Sequence, residues 1–539
     1  MTQDTPSFFT LDRGTVTTAA TLVAPVDGRY RLLAAGVAPA SVEPDLLLED
    51  LAWRVARTDA SVAGSLRDWQ TWSRLEVRTW RCPRVCLVAA SAETGAQLER
   101  AFEGAGWHVA ARVFGPDPDL ITFGEACLDP EVDAVAVAGR DDADQEERDH
   151  ARLLWPRAGS LARFRDDLAV MACGPFVERP EAIPDDRLFS LPAPEPGGLT
   201  TETRLRRAAR EIGAHLVTGD PGAVAADGRA ALRTSIASLA VLLGNRVEGI
   251  EVGAAAGSRT LANADGEMGH AVFSAAGLLP HAILDDDEAA EAILQWSSAP
   301  GDPATRLDRL RELTLAPWSQ IDADGSHLRM AALRAALERM QAAWVTAAEG
   351  HSELASADVV VLSGGGFGGV PPAAAALALA DGVRHPGAFT ILHDHARLLA
   401  PLGALPVEGD RRRLLADLMD DCLLPLGSAL LTGADRREGV DPGSITVSSD
   451  LGQDELPLES GQLRLVDLPP GIVARLDVDP GQGTILGVEG RRFRLEVSGG
   501  LGGLLIDTRP IPLVLPSSPE QRRATLEAWE AAAWLGTER

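Results

Sequence analysis

The amino-acid sequence predicts a duplicated α/β fold in two lobes, with an inserted doubly wound α/β segment and a small C-terminal all-β domain. Three observations predict it. Two hairpins each carry an acid, one further residue and then glycine at the turn, around residues 12 and 251. A third glycine turn follows a buried strand at residue 363, and the stretch after the first hairpin alternates strand and helix.

The first hairpin covers residues 8–23, FFTLDRGTVTTAATLV, and YRLLAAGV extends it to a three-strand meander through a turn at Asp27 and Gly28. Asp-Gly between apolar runs is a strong hairpin signal, because both turn positions favour positive φ. A helix is expected over 43–57, followed by a polar stretch. Trp53, Trp69, Trp72 and Trp80 read as aromatics packed under a loop.

From Arg84 the runs VCLVAAS, HVAARVF, DAVAVAG and LAVMACG read as strands, with helix GAQLERAFEGAG among them, which predicts a doubly wound segment to about residue 196. Helices follow at 201–212 and 227–243, and the second hairpin is GIEVGAAAGSRTLA at 249–262. A long helix over 326–347 sets Leu333, Leu337, Met340 and Trp344 at helical spacing, a core-facing stripe. The third turn lies in DVVVLSGGGFGGVPPAAAALALAD, 358–381. Beyond about residue 431, six short runs from SITVSSDL to LGGLLIDT predict a small all-β domain, a partial barrel, closed by a helix over 519–534. The expected divisions are therefore 1–80, 81–200, 201–430 and 431–539.

The 539 residues exceed one core, and the 24% charged and 45% hydrophobic content is globular. The net charge of −28 repels phosphate backbones and anionic lipid, so neither nucleic acid nor membrane is an expected partner. Lysine is absent, which excludes a pyridoxal phosphate Schiff base and a P-loop lysine. Five scattered cysteines give no disulfide framework, and Cys82 and Cys86 have no second ligand pair for zinc. The polar opening lacks a secretory pattern, and no apolar run reaches membrane length, so a cytoplasmic location is expected.

Each turn has a possible chemistry. In Leu11-Asp12-Arg13-Gly14-Thr15, Gly14 permits a turn whose amides face a phosphate, Thr15 and Thr17 add hydroxyls, and Asp12 can hold a hydrated Mg²⁺. In Glu251-Val252-Gly253-Ala254-Ala255-Ala256-Gly257 the layout repeats, with Glu251 as the acid and Gly253, Ala254 and Gly257 beside phosphate. In the third, Gly364, Gly365 and Gly366 allow close approach to an adenosine, and prolines suit the helix start that follows. Any one of them alone is an ordinary turn. Their order and spacing are more specific than their individual residues.

Together the three turns resemble the phosphate-1, phosphate-2 and adenosine motifs of the actin, Hsp70 and sugar kinase superfamily. Within it the chain resembles the glutamate mutase L family, the MutL accessory proteins of coenzyme B12-dependent methylaspartate mutase. The opening FTLDRGTVTTAATL, DAVAVAGRDD with Asp141, VMACG, FSLP, TTETRLRRAAREI, ADGEMG, ILHDHARLLAPLGAL and SGGLGGLLIDTRPIPLVLP carry the resemblance over nearly the whole chain. The resemblance implies an actin-like, ribonuclease H-like ATPase fold, ATP or ADP with Mg²⁺ held through water by Asp12 and Glu251, a bacterial source, and a B12-dependent mutase or related client. The chain departs from the family pattern at several points. Glu251 replaces Asp, Ala254, Ala256 and Gly257 replace paired Gly and Thr, and Ser258 replaces Asp. Arg13 is bulky, Ala19 stands where a lysine is usual, and Ala138–Ala143 replaces a glycine-rich turn. A displaced acid weakens a phosphoryl-transfer site, where catalysis is positioning plus electrostatics.

Three functions follow. The first is a nucleotide-binding, chaperone-like accessory protein with weak ATPase activity at most, not itself a mutase. The second is an inactive scaffold of the same fold. The third, a small-molecule kinase, ranks last because no catalytic base or sugar pocket is visible. His393-Asp394-His395 lacks a further metal ligand and reads as structural.

Overall fold

The structure, a computed structural model, describes residues 7–58, 69–115, 119–140, 142–174, 184–197, 203–218, 226–284, 286–316, 323–348, 357–383, 386–432, 443–481, 484–486, 488–489, 491–511 and 513–533. Asp141 lies outside them.

The chain opens with β1 (Phe8–Arg13), β2 (Thr17–Val26) and β3 (Arg29–Pro39), an antiparallel meander. Asp27 and Gly28 have φ of 50° and 80°, as an Asp-Gly hairpin turn requires. Helix α1 (Pro44–Thr58) buries Leu47, Leu48, Leu51 and Val55 under the sheet. Strand β4 (Ser73–Arg78) then pairs parallel to β1. Trp69 and Trp72 pack on Phe9, with ring centroids 5.8 and 5.5 Å away. Trp53 corrects the expectation for the four tryptophans. It is exposed and covered by Arg57, while Arg78 stacks on Trp80 at 3.8 Å.

The inserted segment holds β5 (Arg84–Ala89), α2 (Ala92–Gly104), β6 (His108–Phe114), α3 (Leu120–Leu128), β7 (Ala134–Ala138), α4 (Gln145–Leu161), β8 (Ala169–Cys173), β9 (Leu188–Leu191) and α5 (Arg204–Thr218). Its strands pair parallel in the order β6-β5-β7-β8-β9, a doubly wound sheet. Near-continuous burial of β5, β7 and β8 is what a parallel sheet covered on both faces demands. The chain then rejoins the first sheet through β10 (Ala226–Asp227), parallel to β4.

The second lobe repeats the first. Helix α6 (Gly228–Leu243) leads to the meander β11 (Val247–Val252), β12 (Gly257–Asn263) and β13 (Gly266–Phe273). Helices α7 (Asp287–Leu294), α8 (Pro303–Leu315) and α9 (Ala323–Ala348) cover one face, and Leu333, Leu337, Met340 and Trp344 of α9 are core residues as the spacing predicts. Next come β14 (Val359–Ser363), α10 (Pro372–Gly382) and β15 (Gly387–Asp394), and both strands pair parallel within the sheet. The first sheet runs β3-β2-β1-β4-β10 and the second begins β13-β12-β11-β14-β15. Both are third, second, first, fourth and fifth strand in chain order, with two antiparallel and two parallel pairings. This shared topology is the duplicated, two-lobed actin-like fold.

After α11 (Leu399–Gly403) and α12 (Glu408–Cys422), β16 (Leu423–Leu431) extends the second sheet. The remainder supplies β17 (Ser444–Ser449), β18 (Gly452–Pro457), β19 (Leu463–Val466), β20 (Val473–Asp479), β21 (Thr484–Ile485), β22 (Val488–Glu489), β23 (Phe493–Ser498), β24 (Leu504–Asp507) and α13 (Pro519–Ala532). Strands β18-β17-β20-β23 form an antiparallel C-terminal sheet, but β24 and β19 join the second lobe's sheet beyond β16. The reason is burial on both faces. Leu505 belongs to the second lobe's core, and Leu504 and Ile506 to the C-terminal core. Buried ion pairs fasten this end: Arg334 binds Asp381 (2.7 Å) and Glu530 (2.6 Å), and Arg509 binds Asp381 and Asp507 (both 2.7 Å). Among the described residues, no helix is long and apolar enough to cross a membrane.

Candidate functional site between the lobes

Both hairpins close in the same way. In the first, Asp12 stands opposite Ala19 and Arg13 opposite Thr18, and the Gly14 amide donates to the Thr17 carbonyl at 2.9 Å. In the second, Glu251 stands opposite Ser258 and Val252 opposite Gly257, and the Gly253 amide donates to the Ala256 carbonyl at 2.9 Å. Residues 15–16 and 254–255 therefore lie outside the strand ladders, at two matching tips.

The third turn leans on the second. Gly364 has φ of 91°, and a Cβ there would lie 2.6 Å from the Val252 carbonyl oxygen. The Gly366 amide donates to that same oxygen at 2.8 Å. Glycine is required at 364 and 366 by contact with the end of β11.

One cleft of about 580 Å³ gathers these parts. Asp12, Gly14, Thr15 and Thr17 line it from the first lobe, and Glu251, Gly253, Ala254, Gly364, Gly365 and Gly366 from the second. Gly257 does not line it. This corrects the expectation for that residue. It begins β12, fully buried in the strand, and a Cβ there would sit 2.5 Å from the Met340 methyl. Strand alternation turns it toward α9 while its neighbour Ser258 pairs with Glu251.

The sequence reading missed the groups that answer the two acids. Arg397, at φ of 53° just past β15, reaches across the cleft: its Nε donates to Asp12 Oδ2 (2.7 Å) and its Nη1 to Thr17 Oγ1 (2.9 Å). A third contact, Nη2 to the Asp12 carbonyl, is longer at 3.4 Å. Glu251 is served locally. Ser258 Oγ donates to Oε2 at 3.0 Å, and Arg229 Nε of α6 lies 3.6 Å from the same oxygen. Burial pushes the Glu251 carboxyl up from its usual range, against the pull of Arg229 and Ser258. Arg229 Nη1 donates to the Trp80 carbonyl (3.3 Å), and its Nε is buried without a hydrogen bond.

Asp394 and His393 also face the cleft. Asp394 accepts from Ser363 Oγ (3.0 Å), the Leu398 amide (2.9 Å) and the Leu399 amide (3.3 Å), so it ties β14 to the start of α11. Burial raises its carboxyl to about 6 and lowers the His393 imidazole to about 4. His395 lines the cleft as well, and its Nδ1 bonds the Cys422 carbonyl (3.0 Å).

These donors do not fit a Mg²⁺ ion held by Asp12 and Glu251. One acid is engaged by a guanidinium and the other has one at 3.6 Å. Among the described residues, no group of three or more His, Cys, Asp or Glu side chains is placed to hold a metal. A protein-held Mg²⁺ usually takes one or two carboxylates beside its waters, and arginine cannot leave a carboxylate by losing a proton.

No family model matches the chain, and no curated protein matches it. Among solved structures it is similar to the PilM–PilN complex of type IV pilus biogenesis (14% identity, TM-score 0.24, 71% of this chain and 86% of that one). It is also similar to the activator of the 2-hydroxyisocaproyl-CoA dehydratase from Clostridium difficile with bound ADPNP (10%, 0.24, 74% and 92%). A third is acetone carboxylase in a nucleotide-free structure (9%, 0.32, 98% and 85%). Overlaps this loose carry no argument about the site, and the assignment of the fold stands on the duplicated strand order.

Proposed function

We propose that this chain is an adenine-nucleotide-binding accessory protein, whose lobes hold ATP or ADP in the cleft and present a client surface that depends on occupancy. One observation carries the reading. Two hairpins of identical closure, one from each lobe, meet a third glycine turn around one cleft of about 580 Å³. That volume lies within the ~300–1,000 Å³ usual for small-molecule sites. Phosphoryl transfer is not the favoured use, because neither Asp12 nor Glu251 is left free to orient water or metal. The glutamate mutase L resemblance supports a B12-dependent mutase, or a related protein, as the client.

Calorimetry with ATP and ADP tests the reading. Binding between micromolar and millimolar is expected. It should be lost in Gly365→Trp, which fills the cleft at a position whose nearest neighbour to a Cβ is Thr17 Oγ1 at 3.8 Å. Absence of binding at millimolar nucleotide would sink it. The scaffold reading then takes its place, favoured by the Arg397 bridge that already spans the lobes.

A further inference from the structure

The geometry points to a cleft that takes its polyphosphate as the metal-free anion, with Arg397 and Arg229 supplying the positive charge that a divalent cation would otherwise bring. This rests on the nucleotide reading above and narrows it to one ionic form of the ligand.

Each hairpin acid has one guanidinium beside it: Arg397 at Asp12 (2.7 Å) and Arg229 at Glu251 (3.6 Å). Two arginines carry the same charge as one Mg²⁺ and are protonated at every working pH. Their side chains are nearly buried, at 11% and 10% exposure, so water screens them little. Their planar forks suit phosphate oxygens, which they bind through paired N–H donors. Neither is saturated by its present partners. Arg229 Nε is buried without a hydrogen bond, and the Arg397 contact to the Asp12 carbonyl is long at 3.4 Å.

The same geometry disfavours the metal complex. A Mg²⁺ ion at Asp12 would have to displace Arg397 or sit against it, two cations at one buried carboxylate. A metal-free phosphate meets the opposite situation. It competes with Asp12 for Arg397, and the winner gains a cation already in place. Arg397 comes from the second lobe and holds Asp12 and Thr17 of the first. When phosphate takes the guanidinium, the bridge between lobes passes through the ligand instead of through Asp12.

This predicts an inverted response at Asp12. In a magnesium site, removing the carboxylate weakens nucleotide binding. Here Asp12→Asn removes the competitor and should tighten it. The experiment is calorimetry of the full chain with ATP, and separately with inorganic tripolyphosphate, once in EDTA and once in excess MgCl₂. Binding in EDTA is expected to match or exceed binding with Mg²⁺. Arg397→Gln and Arg229→Gln should each weaken the EDTA form by about tenfold or more, the loss of a charge-assisted contact. Asp12→Asn should strengthen it severalfold. Binding seen only with Mg²⁺, or abolished in a folded Asp12→Asn, overturns this inference and leaves the nucleotide reading standing. Absence of binding to the wild type in both buffers overturns both. The wild-type comparison decides the metal question even if a variant fails to fold.

Discussion

Hairpin 12–19 and hairpin 251–258 have one backbone and two electrostatic solutions. Each closes through a glycine amide bonded at 2.9 Å to the carbonyl three residues on, and each places an acid two residues before that glycine. Across the ladder from Asp12 stands Ala19, which offers no hydrogen bond, and the acid is answered from the opposite lobe by Arg397, 385 residues away. Across from Glu251 stands Ser258, which bonds the acid directly, with Arg229 nearby on the preceding helix. Directly opposed residues share a face of the sheet, so one position decides whether the acid is served within its hairpin or between lobes. Duplication preserved the turn, and the partners of the acids differ.

Removing Arg397 should give the largest effect. Arg397→Ala leaves Asp12 without its cation in a nearly buried place, and a loss of about 3 kcal/mol is expected in urea unfolding. Pairing it with Asp12→Ala should restore part of that loss, and simple additivity of the two would break the claim that the pair spans the lobes. Second is Gly257 against its counterpart Thr18. Gly257→Val drives a methyl into Met340 and should cost about 2 kcal/mol. Thr18→Val should cost clearly less, and equal costs would show that the two strands do not differ in what they face. Third, Arg229→Met should destabilise by only about 1 kcal/mol. Its contact is longer than Arg397's, Ser258 remains on Glu251, and the buried acid can take a proton.

The smallest response expected of the wild type is its pH dependence beside the first acid. His393 falls to about 4 in the fold, from ~6.5 unfolded. Its contribution to stability is complete above the unfolded value and is lost as pH falls toward 4. Asp394 rises to about 6, from ~3.9 unfolded. The folded state then holds more protons between those values, so this contribution is complete below 4 and is lost as pH rises to 6. The two slopes oppose, and the pair should be nearly flat from pH 4 to 6. In His393→Gln, stability should fall across that window by roughly 1–3 kcal/mol relative to wild type. A profile parallel to wild type would refute the assignment.

The three turns were legible because turn chemistry is local. Asp-x-Gly and Glu-x-Gly at strand ends, and Gly364 before a Pro-led helix, specify backbone within a few residues. The doubly wound insert was legible for the same reason, since runs such as Val135–Val137 are apolar without alternation. The face that Gly257 joins is not legible, because a strand's parity, not its composition, sets which face a residue joins. Strands β19 and β24 join the second lobe's sheet, which the sequence does not announce, because a short buried strand carries no sign of which sheet it will enter.

The sequence alone determined the duplicated scaffold, the glycine turns and the positions of Asp12 and Glu251, since these follow from hydrogen bonding and φ preferences over short spans. Only the tertiary structure decided what those acids do. Arg397 and Arg229 reach them through space, from a turn after β15 and from the start of α6, and Coulomb attraction between buried groups depends on distance and desolvation that no local pattern encodes.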